Sequence, residues 1–241
     1  MRSSASNPPA GAVIDDHAHE WHQLIYVSAG LIRVWTEAGS WVAPPTWAVW
    51  APAGVRHGMR FVGASAFRTL YFRPDWWPDL PDECAAVTVS ALLRALILRV
   101  TAQSALDRRV AVDTAIATVM LDEFRRSDAP PFTLPQPSSE PTRHAVALIA
   151  EGAPPSVTAG GLAQTVGLGV RTLERRFVAE TGVTLGRWRR HRALLGALEQ
   201  LAVGSPIKTV AASAGYSTSS AFVSAFRSLF GATPGRYFML S

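Results

Sequence analysis

The sequence of 241 residues has almost no cysteine and no long apolar segment. Cys84 is its single cysteine, which excludes an internal disulfide framework and is typical of proteins in a reducing compartment. No run of apolar residues is long enough to cross a bilayer, and residues 1–12 lack the apolar core of a signal peptide. We therefore expect a protein of the cytoplasm that has no membrane partner.

Acidic residues are scarce in the second half of the chain. Residues 136–241 contain 11 Arg or Lys and only 5 Asp or Glu, a net charge of +6. Residues 1–135 contain 12 basic and 13 acidic residues, a net charge of −1, and seven of the eight tryptophans precede residue 80. Length and this asymmetry predict two domains, of which only the second is electrostatically suited to bind a polyanion.

The basic half contains one pattern twice. Residues 162–188 and 210–237 align with an offset of 48 or 49, and each copy reads as a short helix, a glycine turn and a second helix. In the second copy, Ser205 is suited to cap the short helix and Pro206 to occupy its first position. Between the copies, Leu185 to about Val203 reads as one connecting helix, about 28 Å long.

The second helix of each copy has an apolar face and a polar one. The core faces are expected to be Val170, Leu173 and Phe177 in the first copy and Phe222, Phe226 and Leu229 in the second. The outward faces hold arginine, glutamate and small hydroxyl residues, which suit the base edges of a DNA major groove. The basic run that starts the connecting helix is placed to contact backbone phosphates. The predicted interface with double-stranded DNA is Arg171, Thr172, Glu174, Arg175, Arg187, Arg189, Arg190, Ser219, Ser220, Ser224 and Arg227.

The alternative is a plain helical bundle whose arginine face is merely solvated. The connecting helix argues against it, because its length is close to the ~34 Å that separates successive major grooves on one side of DNA.

Three motifs in this half carry a family resemblance: L-x-R-x-F at Leu173–Phe177, G-Y-S-x-x-S-x-F at Gly215–Phe222, and F-G-x-x-P-x-x-Y at Phe230–Tyr237. With them, residues 143–238 resemble the AraC/XylS family of bacterial transcription regulators. The resemblance implies a seven-helix DNA-binding domain whose two second helices enter adjacent major grooves. Three residues depart from the family pattern. Gly169 stands where the family usually has a capping Ser or Thr, and Ala193 stands where an Arg is common in the connecting helix. Ser224 stands where some members have an Arg that contacts bases.

Residues 12–73 alternate short apolar runs with glycine and proline turns. The runs are Leu24–Ser28, Leu31–Thr36, Trp47–Ala51 and Arg68–Phe72. This rhythm predicts a small antiparallel barrel or sandwich.

Two histidine motifs lie within this region. Gly11-(x5)-His17-x-His19-(x3)-Gln23-(x6)-Gly30 and Pro52-x-Gly54-x-x-His57 resemble the two cupin motifs, with Gln23 in place of the usual Glu. The resemblance implies a metal site formed by His17, His19, Gln23 and His57, and three imidazoles suit a divalent transition metal as the candidate cofactor. Loss of the anionic ligand should weaken that site.

Two other interpretations of the motif remain open. The same residues could line a pocket for an organic effector, with Trp35, Trp50 and other aromatic residues as its walls, or the motif could be vestigial. In each case strand alternation directs His22 to the face opposite Gln23.

Residues 74–85 are predicted to form an acidic loop, followed by two helices within about residues 86–126. One helix is expected to lie on the barrel and the other to pair with a second subunit in a homodimer; packing of both within the monomer is the alternative. Asp128 to Pro141 contains five prolines and predicts a semi-rigid linker.

The predicted fold class is therefore α+β in two domains. Residues 1–127 form a cupin-like antiparallel β-barrel (about 11–73) with following helices, 128–141 the linker, and 142–241 an all-α double helix-turn-helix domain. The predicted function is sequence-specific transcription regulation controlled by a small-molecule effector or a metal in the barrel. The alternative is a metal-dependent cupin enzyme that its basic domain tethers to nucleic acid. We disfavour it, because the sequence shows no catalytic arrangement beyond the three histidines.

Overall fold

The computed structural model describes residues 1–37, 39–76, 80–126, 134–150 and 157–237. The chain forms two compact units, Met1–Thr133 with Gly235–Ser241, and Leu134–Pro234. The strands are β1 (Arg2–Ser6), β2 (Val13–His17), β3 (His22–Ala29), β4 (Ile32–Thr36), β5 (Gly39–Ala43), β6 (Trp47–Ala51), β7 (His57–Phe61), β8 (Ala66–Phe72) and β9 (Ala85–Thr88). The helices are α1 (Ala91–Gln103), α2 (Ala111–Arg125), α3 (Glu140–Ala150), α4 (Ala159–Thr165), α5 (Val170–Thr181), α6 (Leu185–Ala202), α7 (Ile207–Ser213), α8 (Ser219–Phe230) and α9 (Pro234–Tyr237).

The first unit is built from two antiparallel sheets. One has the order β1-β8-β3-β6-β9 and the other the order β2-β7-β4-β5. The four predicted strands are confirmed as β3, β4, β6 and β8, but the predicted limits of the barrel, residues 11–73, are too narrow. Arg2 of β1 lies opposite Tyr71, and Ala85 of β9 lies opposite Trp50. Both are edge strands, and polar or short edge strands lack the apolar alternation that identifies a buried strand.

The five-stranded sheet has a different environment on each face. Phe67 on the inner face packs against Phe61 of the other sheet, with ring centroids 5.2 Å apart. On the outer face, Leu24, Tyr26 and Trp50 join the core formed with α1 and α2. The cupin-like interior therefore lies between the sheets, and the helices cover the outside of one sheet.

Both helices pack within this monomer core. Ile97 of α1 and Met120 of α2 are buried in it. At least part of the apolar face of α2 therefore packs within the monomer and is not available to a second subunit. Three apolar side chains nevertheless stay exposed: Leu92 with 49%, Val112 with 55% and Val119 with 42% of its surface accessible. Homodimer formation stays a prediction.

The second unit repeats the predicted helix-turn-helix arrangement. Gly167 follows α4 and Gly215 follows α7, each with a positive φ that favours glycine, +69° and +81°. Two details differ from prediction. Pro206 occupies the cap position of α7 in place of Ser205, and Phe230 completes the core face of α8 while Leu229 is half-buried.

Helix α5, the second helix of the first copy, also buries fewer apolar side chains than its sequence pattern predicts. Val170 begins α5 and leaves 42% of its surface exposed, whereas Leu173 and Phe177 are fully buried. Periodicity alone therefore overestimates the burial of Val170.

The predicted linker, residues 128–141, is wrong in its second half. The structure begins the helical unit at Leu134, whose side chain is buried. The indole Nε1 of Trp188 donates to the Pro135 carbonyl oxygen at 3.1 Å. Pro141 is already the second residue of α3, where proline is tolerated. Residues 127–133 lie outside the described residues.

In the described part of the chain, none of the helices combines the length and the apolar character needed to span a bilayer.

Candidate functional site

The two histidine motifs converge in the interior of the first unit. A register shift in β2, between Ile14 and His17, brings His17 opposite His57 at the start of β7. His19 lies just after β2, and Gln23 points inward from β3. The ring centroids of His17 and His57 are 4.5 Å apart, and those of His19 and His57 are 5.1 Å apart. The nitrogen ligand atoms that the three histidines offer all lie within 4.8 Å of one another.

Gln23 is held in one orientation by the opposite strand. The Thr69 hydroxyl donates to the Leu24 carbonyl oxygen at 3.0 Å, so its oxygen is left to accept from the Gln23 amide Nε2 at 2.8 Å. Nε2 also donates to the Tyr71 hydroxyl at 3.2 Å. The amide oxygen Oε1 of Gln23 therefore faces the histidines.

This orientation places Oε1 of Gln23 2.9 Å from Nε2 of His57 and 3.0 Å from Nε2 of His19. Nδ1 of His57 donates to the Val55 carbonyl oxygen at 2.9 Å, and Nδ1 of His17 donates to the Asp15 carbonyl oxygen at 2.8 Å. A neutral imidazole has one N–H, so Nε2 of His57 carries a lone pair where it meets Oε1. Two hydrogen-bond acceptors thus face each other inside the protein.

A cation between these atoms would satisfy both. Donor atoms that share a metal ion with bonds of about 2.1 Å are about 3.0–3.4 Å apart, close to the contacts of Gln23 Oε1. The backbone hydrogen bonds of His17 and His57 leave Nε2 free, which is the usual way in which ligating imidazoles are oriented. The residues present therefore fit a divalent transition metal, with Gln23 as a neutral oxygen ligand.

Separately, burial lowers the pKa of His57. The hydrogen bond to Val55 opposes this shift, and the nearby His17 and His19 add to it.

The two tryptophans assigned to the effector pocket do not line the interior, and this assignment is corrected. Trp50 lies opposite Leu24, on the face that packs against helices, and its ring contacts Phe124 of α2 at 4.9 Å. Trp35 lies opposite Gly58, one residue out of phase with His57. Because side chains alternate along a strand, each tryptophan points away from the interior that Gln23 and His57 share.

Trp35 instead packs on the outside of the four-stranded sheet. Its indole Nε1 donates to Oδ1 of Asp16 at 2.5 Å. Gly58 makes room for the ring, since a Cβ at Gly58 would lie 2.5 Å from it. His22 lies on the outer face of its sheet, as strand alternation predicted. Its ring stacks on that of Trp50, with ring centroids 5.1 Å apart.

Sequence reasoning missed three residues of the interior. Thr69 and Tyr71 orient Gln23, and their positions at alternate places in β8 were the signal that could have identified them. Trp41 of β5 lies opposite Val34 on the interior face and is 6% exposed. Its indole Nε1 is buried without a hydrogen-bond partner among the described residues.

The helical unit presents the predicted DNA-facing residues on the surface. Arg171, Glu174 and Arg175 of α5 are exposed and Thr172 is half-buried. On α8, the exposed residues are Ser220, Ser224 and Arg227, while Ser219 is half-buried. Behind them, Leu173, Phe177, Phe222 and Phe226 are completely buried, so each polar face rests on a buried apolar core.

The two DNA-facing helices, α5 and α8, begin differently, and the connecting helix α6 exposes its arginines to different degrees. Thr218 caps α8 by accepting from the Ala221 N–H, but Gly169 gives α5 no side-chain cap. On α6, Arg187 and Arg190 are exposed and Arg189 is half-buried. The 18 residues of α6 span about 27 Å.

Comparison with known proteins gives matches to both units. Residues 5–118 match the family model described as an AraC-like ligand binding domain, and residues 162–239 match a helix-turn-helix domain. The HTH-type transcriptional regulator NimR of Escherichia coli (strain K12) is 32% identical over 224 residues, which cover 92% of this chain and 81% of that protein.

Solved structures with a similar course of the chain include ToxT from Vibrio cholerae O395. The match covers 99% of this chain and 96% of ToxT, with 9% identity and a TM-score of 0.42. The C-terminal domain of AraT, a response regulator from Geobacillus stearothermophilus, matches 43% of this chain and 87% of its own length, with 24% identity and a TM-score of 0.40.

Proposed function

Because this chain belongs to the AraC family of transcription regulators, with a ligand-binding domain followed by a DNA-binding helix-turn-helix domain, we propose that its histidine cluster is where a ligand controls DNA binding. The relative that matches over most of its length is a regulator, and the enzyme alternative has no support from the comparisons.

The ligand that the geometry supports best is a divalent transition metal held by His17, His19, Gln23 and His57. The observation that carries this proposal is the contact of 2.9 Å between Nε2 of His57 and Oε1 of Gln23, where both atoms are hydrogen-bond acceptors. A bound metal would supply a positive centre with open coordination positions, to which a small effector could add its own donor atom. The same site thus accommodates the effector interpretation.

A ligand changes DNA binding only if it favours one conformation of the protein over another. The strand β3 offers a physical connection, since Gln23 faces the histidines and the next residue, Leu24, faces the helices. Leu24 and Trp50 share a core with α1 and α2. A movement of Gln23 toward a bound ligand would therefore change the packing of the helices that precede the linker.

On the DNA side, we assign α5 and α8 to successive major grooves. Arg171 and Arg175 would contact bases, and Arg187 and Arg190 phosphates. The exposed positions of these side chains support the assignment. We further propose a homodimer in which the exposed Leu92, Val112 and Val119 of α1 and α2 pair with a second copy, because removing apolar surface from water favours association.

The test uses the full chain and a DNA site selected from a random-sequence pool. We expect the protein to bind about one Ni²⁺, Zn²⁺ or Fe²⁺ per chain, measured by elemental analysis after dialysis, and its DNA affinity to change several-fold on loading. His19→Ala and His57→Ala should lose both effects and keep the metal-free affinity. His144→Ala, which removes an exposed histidine of α3, is the matched control.

Two results would contradict the proposal in different ways. If the wild-type protein retains no metal, the cluster binds an organic ligand or none. If it retains metal and its DNA affinity does not change, metal binding is real but does not control DNA binding.

A further inference from the structure

The helical unit contains a cavity beside the DNA-facing arginines of α6. Its volume is about 560 Å³. The walls are the C-terminal end of α3, at Ile149 and Ala150, and the turn after α7, at Gly215. The floor is one face of α6, which carries Ala193 and Gly196. The volume is within the roughly 300–1,000 Å³ of small-molecule sites.

The glycines of α6 are not required by the local structure. Gly196 is in the interior of the helix, where glycine destabilises relative to alanine. The helix does not give it a positive φ, and a Cβ there would meet nothing closer than Nη1 of Arg192 at 3.5 Å. Gly186, in the first turn, has even more space, with Nη1 of Arg190 at 3.8 Å. Both line the cavity, where they take up less space than any other residue would.

Among the described residues that line the cavity, the charged ones are all arginines. Arg189, Arg190 and Arg192 contribute to its lining, together with Gln200. None of the described lining residues is acidic. Ile149 and the small residues of α6 add an apolar surface beside the guanidinium groups. A positive, partly apolar cavity selects a ligand that is an anion with an apolar body.

We propose that this cavity binds a small organic anion, a carboxylate or phosphate ester with an aromatic or aliphatic body, at a site distinct from the histidine cluster. Arg190 lines the cavity and is also assigned to a DNA phosphate, so an anion bound there competes with DNA. The protein then has a second ligand input that acts directly on its DNA-binding unit and lowers DNA affinity.

The test titrates the full chain with 1-naphthoate and with its uncharged analogue 1-naphthamide by calorimetry, after removal of metals with a chelator. We expect 1-naphthoate to bind at least tenfold more tightly than the amide. Ala193→Leu combined with Gly196→Leu fills the cavity and should weaken 1-naphthoate at least tenfold. Val203→Leu also enlarges an apolar side chain of the same chain segment, by one methylene, at an exposed position outside the cavity, and should change nothing.

A second measurement follows DNA binding by fluorescence anisotropy with a fixed duplex. Added 1-naphthoate should weaken DNA binding several-fold in the wild type and leave the filled variant unaffected. Should the filled variant lose its helical circular dichroism, Arg190→Gln takes its place and is expected to lose 1-naphthoate binding. His57→Ala should bind 1-naphthoate normally, which separates this site from the histidine cluster.

Three outcomes would overturn the proposal. Equal 1-naphthoate affinity in wild type and filled variant would place the ligand elsewhere, and equal affinity for acid and amide would remove the role of charge. If no binding of 1-naphthoate occurs while Arg190→Gln weakens DNA binding, the cavity serves a DNA phosphate and not a small ligand.

Discussion

Glu180 of α5 holds the beginning of the DNA-binding unit in place, and removing its carboxylate should loosen the residues that precede α3. Oε2 of Glu180 accepts from the backbone N–H groups of Ser138 and Ser139, at 3.0 and 3.1 Å, and from the Thr142 hydroxyl at 2.6 Å. Hydrogen bonds to a charged group contribute about 1.5–3 kcal/mol each when they are well buried. The negative charge also lies at the N-terminus of α3, where the helix dipole favours it.

The pKa of Glu180 gives a second measure of these contacts. Burial would raise the pKa, but the hydrogen bonds from Thr142, Ser139 and Ser138 outweigh it and lower the pKa from 4.5 to about 2. At 1.36 kcal/mol per pKa unit, this shift corresponds to at most about 3–4 kcal/mol. Water reaches the half-buried carboxylate, so we expect about 1–2 kcal/mol. Because the folded pKa is the lower one, this stabilisation is complete above about pH 5 and is lost as the pH falls from 4.5 through 2.

Hydrogen exchange followed by mass spectrometry measures the effect locally. In Glu180→Ala we expect the amides of residues 134–142 to exchange about 5- to 30-fold faster at pH 7, the factor that 1–2 kcal/mol implies. Glu174→Ala removes an exposed carboxylate from the same helix and should leave this peptide unchanged. In urea unfolding, the difference between wild type and Glu180→Gln should shrink between pH 5 and pH 2. Equal exchange rates, or a difference that persists at pH 2, would refute the assigned contacts.

Other perturbations test the remaining assignments. Arg171→Ala and Arg175→Ala should each cost about 1–3 kcal/mol of DNA binding and relax preference at particular base pairs, measured by selection from a random pool; retained specificity would contradict the groove assignment. Arg187→Ala should weaken all sequences alike and reduce the salt slope by about 1, and a base-dependent loss would contradict the phosphate contact. Gly58→Ala should lower unfolding stability by about 1–3 kcal/mol, since its Cβ would lie 2.5 Å from the Trp35 ring, whereas an unchanged melting temperature would contradict that packing. Val119→Lys should convert a dimer of the full chain to monomers in sedimentation, while the exposed Val203→Lys does not; a wild-type monomer at tens of micromolar would exclude the dimer.

The helical unit was largely predictable because its signals are local. The turns at Gly167 and Gly215 follow from residues a few positions away, and both have the positive φ that glycine tolerates. The errors lie where a longer-range neighbour decides. Pro135 lies in the helical unit, where Trp188 donates to its carbonyl oxygen, and nothing in a proline-rich segment reveals a partner 53 residues away.

The sheet unit was predicted less well, and the reason is strand register. A strand's side chains alternate between two faces, so an error of one residue exchanges inside for outside. Trp35 and Trp50 were assigned to the interior on their aromatic character. Pairing of Trp35 with Gly58 and of Trp50 with Leu24 places both rings outside.

The sequence by itself determined the two-unit organisation, the double helix-turn-helix arrangement, the arginine-bearing faces of α5 and α6, and the positions of the two histidine motifs. These depend on residue type and on spacing along one element. Only the tertiary structure decided that the Gln23 oxygen faces the histidines, because Thr69 and Tyr71, 46 and 48 residues away, claim its amide nitrogen. It alone decided that Ala193 and Gly196 border a cavity, because the end of α3 and the turn after α7 form its other sides. Partners across a sheet and walls around a cavity come from distant parts of the chain, and spacing along one element carries no information about them.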